Sequence, residues 1–163
     1  MTDFEGLIKH LNASGVRYVL VGGFAAAVLG SPRLTVDLDV IYARDDDNLR
    51  RLASALAPLT PYLRGAPPGL PFVLDVATLE RGLNFTLTTT LGDLDLLGDV
   101  PGGGTYERLA PGSTTVTVFG VDVHVVTLTQ LIRLKRAAGR PRDLEAVAEL
   151  EAILDERATG DEQ

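Results

Sequence analysis

Asp37 and Asp39 stand two residues apart in the run Arg33-Leu34-Thr35-Val36-Asp37-Leu38-Asp39-Val40, with apolar residues at the alternate positions. On an extended strand, side chains at i and i+2 leave the same face, so the two carboxylates project together. Paired carboxylates of this kind hold hard divalent cations through oxygen. Upstream lies Val21-Gly22-Gly23-Phe24. Glycines at a strand-to-helix turn let backbone N–H groups approach a phosphate at the helix N-terminus, where the helix dipole also favours anions. Cations brought against a cradled phosphate are what metal-dependent nucleotide transfer needs. A half-exposed strand with a plain polar face would show the same alternation. Against that reading, Asp is among the poorest strand formers, and same-face carboxylates repel unless a cation sits between them.

Such a site needs a third carboxylate on a neighbouring strand, to complete cation ligation and to accept a proton from an attacking hydroxyl. Asp95, alone among apolar residues in Leu94-Asp95-Leu96-Leu97, is the leading candidate. Asp93 shares its face but lies nearer the expected turn, and Asp75 in Val73-Leu74-Asp75-Val76 is a rival. The remaining reactive residue types fit blander roles. His124 reads as a strand-face histidine and His10 as an exposed helix residue, while Ser31 lacks the His–Asp arrangement of a serine nucleophile.

The elements that position these groups follow from periodicity and punctuation. Asp3–Asn12 places Phe4, Leu7, Ile8 and Leu11 at helical spacing. Tyr18–Val21 reads as a short strand, Phe24–Leu29 as a short helix broken by Gly30-Ser31-Pro32, and Thr35–Tyr42 as the carboxylate-bearing strand. Asp45-Asp46-Asp47 suits the start of a helix over Asn48–Leu56 better than a metal site. Residues 58–71, rich in Pro and Gly, read as an irregular, substrate-facing loop. A short helix over Ala77–Gly82 follows, then strands Asn84–Thr90 and Leu94–Leu97 joined at Gly92-Asp93. Tyr106–Leu109 suits one helical turn, and Thr114–Phe119 with Val121–Val126 suits a hairpin hinged at Gly120. A helix over Leu128–Ala138 stops at Gly139, and a last one runs from Pro141 through about Leu154. Mixed strands flanked by helices predict an α/β or α+β fold, with residues 1–157 as a single domain and 158–163 as a polar tail.

Composition narrows the partners. The 163 residues, 45% apolar and 23% charged, suffice for one buried core. No apolar run approaches the roughly 20 residues of a membrane span. The start Met1-Thr2-Asp3-Phe4-Glu5 lacks the basic and apolar regions of a secretory leader, so cytoplasmic residence is the expectation. The absence of cysteine excludes disulfides, thiolate zinc sites and cysteine nucleophiles. A net charge of −7, with Lys9 and Lys135 the only lysines, argues against an extended non-specific nucleic-acid surface.

Gly22-Gly23, then Arg33-x-Thr35-x-Asp37-Leu38-Asp39, then Leu94-Asp95-Leu96 resembles the DNA polymerase β-type nucleotidyltransferase superfamily. More narrowly, with Lys135-Arg136-Ala137-Ala138-Gly139-Arg140-Pro141-Arg142-Asp143-Leu144, it is similar to small bacterial proteins related to the AbiEii abortive-infection toxin. The matching motifs span about Val19 to Leu144. The resemblance implies a mixed β-sheet with helices packed mainly on one side. It also implies transfer of an NMP from an NTP to a hydroxyl, either an RNA 3′ end (tRNA among the candidates) or a protein side chain. Asp37 and Asp39 would ligate two Mg²⁺ (or Mn²⁺) ions; Asp95 would ligate one and act as base. Gly22 and Gly23 would hold the triphosphate, with Arg33 contacting it. Lys135 would neutralise phosphate charge, and Asp143 would orient that lysine or the nucleotide. The setting implied is a toxin–antitoxin or phage-defence system with a partner protein encoded nearby. The alternative is a non-catalytic, NTP-binding regulatory or antitoxin module of the same fold. One departure is visible: many superfamily members carry Ser after the first glycine, where Gly23 offers only backbone.

Overall fold

In the computed structural model, which describes residues 1–160, Asp3 accepts a hydrogen bond from the Gly6 N–H and opens α1 (Phe4–Ala13). That helix buries Leu7, Ile8 and Leu11. The apolar run Tyr-Val-Leu-Val makes β1 (Tyr18–Val21), buried at every position, as a strand covered on both faces requires. Gly22 turns straight into α2 (Gly22–Val28), and β2 (Asp37–Tyr42) returns antiparallel beside β1. Next come α3 (Asp46–Leu56), β3 (Tyr62–Leu63), α4 (Val76–Arg81), β4 (Phe85–Thr89) and β5 (Gly92–Leu97). The chain closes with α5 (Tyr106–Leu109), the hairpin β6 (Thr114–Val118) and β7 (Val121–Val125), α6 (Leu128–Ala138) and α7 (Pro141–Gly160).

The strands form one seven-stranded sheet in the order β3-β4-β5-β2-β1-β7-β6. Two neighbouring pairs, β2 with β5 and β1 with β7, run parallel; the others are antiparallel. This is the mixed α+β architecture that the sequence predicts. The α6 boundaries also agree with it: Thr127 and Gln130 form a reciprocal capping box, and Gly139 ends the helix at φ 69°. Among the described residues, no helix is long and apolar enough to cross a membrane.

Three local expectations give way. Within the stretch read as irregular loop, Tyr62 and Leu63 pair with Thr88 and Leu87 and add an edge strand to the sheet. The Arg64 N–H then donates to the Thr86 carbonyl at 3.0 Å, continuing the ladder. The turn expected at Gly92-Asp93 falls at Thr90-Leu91 instead, because the Thr89 hydroxyl donates to the Gly92 carbonyl and accepts from the Leu91 N–H. Asp93 is thereby drawn into the strand. Finally, α7 continues to Gly160 rather than stopping near Leu154; the last three residues of the predicted tail, 161–163, lie outside the described residues.

Asn48 ties the edges of the core together. Its Oδ1 accepts from the Arg17 N–H at 2.7 Å, and its Nδ2 donates to the carbonyls of Ala43 and Arg17 at 2.7 and 3.1 Å. The side chain is fully buried, so no water can replace those bonds. Asn48→Ala should lower the unfolding free energy by about 2–4 kcal/mol, read by urea titration. A loss below about 1 kcal/mol would mean that these bonds are not holding α3 to the sheet.

Candidate active site

Parallel pairing of β2 with β5 decides where the acids go. Asp37 lies opposite Asp93, and Asp39 opposite Asp95. Residues two apart share a strand face, so all four carboxylates gather on one side of the seam. Asp37, Asp39 and Asp95 each place an oxygen within 4.8 Å of the others. Buried Asp39 Oδ1 and Asp95 Oδ1 have no hydrogen-bond partner among the described residues. Orphaned carboxylate oxygens converging in this way are a donor set suited to a hard divalent cation. Asp75, the rival third carboxylate, instead caps α4, accepting from the Thr78 N–H at 2.8 Å.

The electrostatics bear the same mark. Burial, the close approach of the Asp95 carboxyl and the charges of Asp37 and Asp95 push Asp39 up to about 8, against a downward pull from Lys135. Asp95 is raised as well, chiefly by burial. Without a cation, the facing pair holds on to a proton that ordinary aspartates release.

β1 pairs Val21 with Asp39, so the glycine turn opens directly beside the acids. Gly22 has φ +70°, and a Cβ there would overlap the Asp39 carboxylate. A Cβ on Gly23 would lie 2.7 Å from Thr35 Oγ1. Val21 offers no capping side chain, so the first-turn N–H groups of α2 are left for solvent or an anion.

A cleft of about 450 Å³ spans these groups, with Gly23, Asp37, Asp39 and Asp95 on one wall and Lys135, Arg140, Arg142 and Asp143 on the other. Gly22 opens instead onto an adjoining hollow of about 160 Å³, which also touches Asp39, Lys135 and Asp143. Asp143 is only 2% exposed. Lys135 Nζ stands 3.5 Å from it and Arg140 Nε 2.7 Å. Burial by itself would raise Asp143, but Arg140 and Lys135 hold it below the usual carboxylate range. Arg33 lines the cleft with its guanidinium paired to Glu149 at 2.8 Å. His10 contacts the Ala55 carbonyl and His124 lies beside Thr115, so neither joins the acids.

The structure adds a residue that sequence reasoning missed. Arg64, just beyond β3, reaches Asp95 at 2.9 Å, Asp93 at 3.5 Å and Asp37 at 3.7 Å. The only local signal was a lone arginine after the apolar pair Tyr62-Leu63 in a stretch dominated by Pro and Gly.

No protein-family model matches the chain. No curated protein matches it either. Solved structures do. A Thermotoga maritima protein described as a candidate nucleotidyltransferase superposes with a TM-score of 0.54 at 18% identity, covering 96% of each chain. An antigenic nucleotidyltransferase-like protein from Paracoccidioides brasiliensis gives 0.54 at 18% identity, covering 90% of this chain and 72% of its own. At that identity the likeness establishes a shared fold.

Two outcomes follow. In metal-free protein, the folded state keeps a proton on Asp39 between its ordinary 3.8 and about 8, whereas the unfolded chain releases it. Stability at this site therefore falls as pH rises through that window. In EDTA, Asp39→Asn should raise the melting temperature at pH 8 and do so much less at pH 4; equal shifts at both would contradict the assignment. Gly22→Ala should destabilise by more than the ~1–2 kcal/mol of left-handed backbone alone, because the new methyl group also meets Asp39. A melting temperature equal to wild type would show that Gly22 does not approach the acid.

Proposed function

We propose that the protein is a metal-dependent nucleotidyltransferase that moves an NMP from an NTP to a hydroxyl acceptor, belonging with the AbiEii-like group. One observation supports this above the rest: Asp37, Asp39 and Asp95 converge within 4.8 Å beside a glycine turn that opens a helix. Both solved structures named above carry nucleotidyltransferase descriptions, which supports the same class.

Asp37, Asp39 and Asp95 would hold Mg²⁺ or Mn²⁺, which when bound supplies charge neutralisation for the triphosphate and acidifies the attacking hydroxyl. The chain's own groups do the rest. Gly22 and Gly23 present backbone N–H groups to the phosphates. Lys135 and Arg140, steadied by Asp143, face them across the cleft. Arg33, which also lines the cleft, is a further phosphate contact. Asp95 accepts the proton as the acceptor oxygen bonds to the α-phosphorus and the bond to pyrophosphate breaks. With a net charge of −7, the acceptor is one met locally, a tRNA 3′ end or a side chain of a partner protein encoded nearby, rather than a long nucleic-acid track. A toxin–antitoxin or phage-defence role fits such an acceptor.

Incubation with labelled NTPs, Mg²⁺ and cell extract should label one macromolecule. Loss of an outer-shell partner of a metal ligand costs ~10–100-fold, so Asp37→Asn should cost more than about 100-fold in labelling rate while leaving the melting profile cooperative. Equal labelling by wild type and Asp37→Asn would overturn the proposal. Mg²⁺-dependent NTP binding without transfer to any acceptor would instead mark a non-catalytic module.

A further inference from the structure

Arg64 enters the acid cluster from the far edge of the sheet. Its backbone N–H is fixed to Thr86, and its Nη2 donates to the Leu87 carbonyl at 2.7 Å. The side chain lies across β4 toward β5 and is 25% exposed. Its contacts are charge contacts rather than aligned hydrogen bonds. Nη2 is 2.9 Å from Asp95 Oδ1 but its bond is directed at Leu87, and neither Asp95 Oδ1 nor Arg64 Nε has a hydrogen-bond partner among the described residues. Asp93 is the carboxylate on the same strand face that the cation triad leaves out. The guanidinium lies 2.9 Å from Asp95 and 3.5 Å from Asp93, and more loosely, at 3.7 Å, from Asp37.

We propose that Arg64 is a positioning residue and a resident counter-charge. It offsets Asp93 and fixes Asp95 on the inner edge, so that divalent cations enter through Asp37, Asp39 and Asp95 with Asp93 withheld. The proposal rests on the metal-site reading above. Its physical content is a charge balance. Four carboxylates without Arg64 attract a divalent cation more strongly than four with it, but they present Asp95 in a poorer position. Arg64 therefore lowers cation affinity while raising turnover, a combination that simple structural support does not produce.

Mn²⁺ binding by calorimetry separates the outcomes, measured on wild type, Arg64→Gln, Arg64→Lys and the double variant Arg64→Gln/Asp93→Asn. Arg64→Gln should bind Mn²⁺ several-fold more tightly than wild type, while its labelling rate at saturating NTP and Mg²⁺ falls. The double variant, which removes one charge of each sign, should return to wild-type Mn²⁺ affinity. Arg64→Lys keeps the charge in place and should stay near wild-type affinity; if Arg64→Gln does not fold, a several-fold change of Mn²⁺ affinity in Arg64→Lys overturns the role. Unchanged or weaker Mn²⁺ binding in Arg64→Gln, or a shift in Arg64→Lys as large as in Arg64→Gln, overturns the role given to Arg64 alone. Absence of Mn²⁺ binding in wild type as well as in the variants overturns the metal site itself, and the Arg64 proposal with it.

Discussion

Repulsion among carboxylates held on one face of two parallel strands is the constraint around which this molecule is organised. The register that sets Asp37 against Asp93 and Asp39 against Asp95 leaves those side chains no freedom to diverge, because the strand period fixes which way each points. Left alone, such an arrangement destabilises the centre of the sheet. The surrounding structure meets it in two ways. Arg64 brings a positive charge from the edge, and a proton stays on the Asp39–Asp95 pair far above the usual carboxylate range. A divalent cation would replace that proton and use the otherwise unpartnered oxygens.

The same geometry explains the glycines. Val21 pairs with Asp39, so the chain leaving β1 passes the carboxylate at a distance that excludes a side chain at Gly22. With φ at +70°, Gly22 turns the backbone at once into α2 and aims that helix's uncapped N-terminus toward the acids. Across the cleft, α6 and α7 contribute the balancing cations. Asp143, buried at the start of α7, is the anion to which Lys135 and Arg140 are both tied. Negative wall, positive wall and helix start thus surround one cleft.

Sequence alone exposed the parts of this arrangement that are local. Alternation over Thr35–Tyr42, the glycine pair after an apolar strand and the Gly-then-Pro break between α6 and α7 each write their conformation into a few adjacent residues. Asp95 was legible as a lone acid in an apolar run, although its partnership with Asp39 depends on a parallel pairing between distant strands. Gly92-Asp93 resembles a turn in sequence, yet the Thr89 hydroxyl closes the turn two residues earlier and leaves Asp93 in the strand. Arg64 could not be read. A two-residue strand has no period, and its partner is chosen by the free edge of β4 rather than by its own composition. Asn48 likewise reads in sequence only as a helix start, since its bonds reach back to Arg17 and Ala43.

A crystal soaked with Mn²⁺ and a non-hydrolysable NTP analogue would test the central claim most directly, through the anomalous signal of the metal. Manganese should appear between Asp37, Asp39 and Asp95, with the analogue's phosphates beside Gly22 and Gly23. Manganese absent from that triad, with the analogue bound away from the glycine turn, would contradict the account.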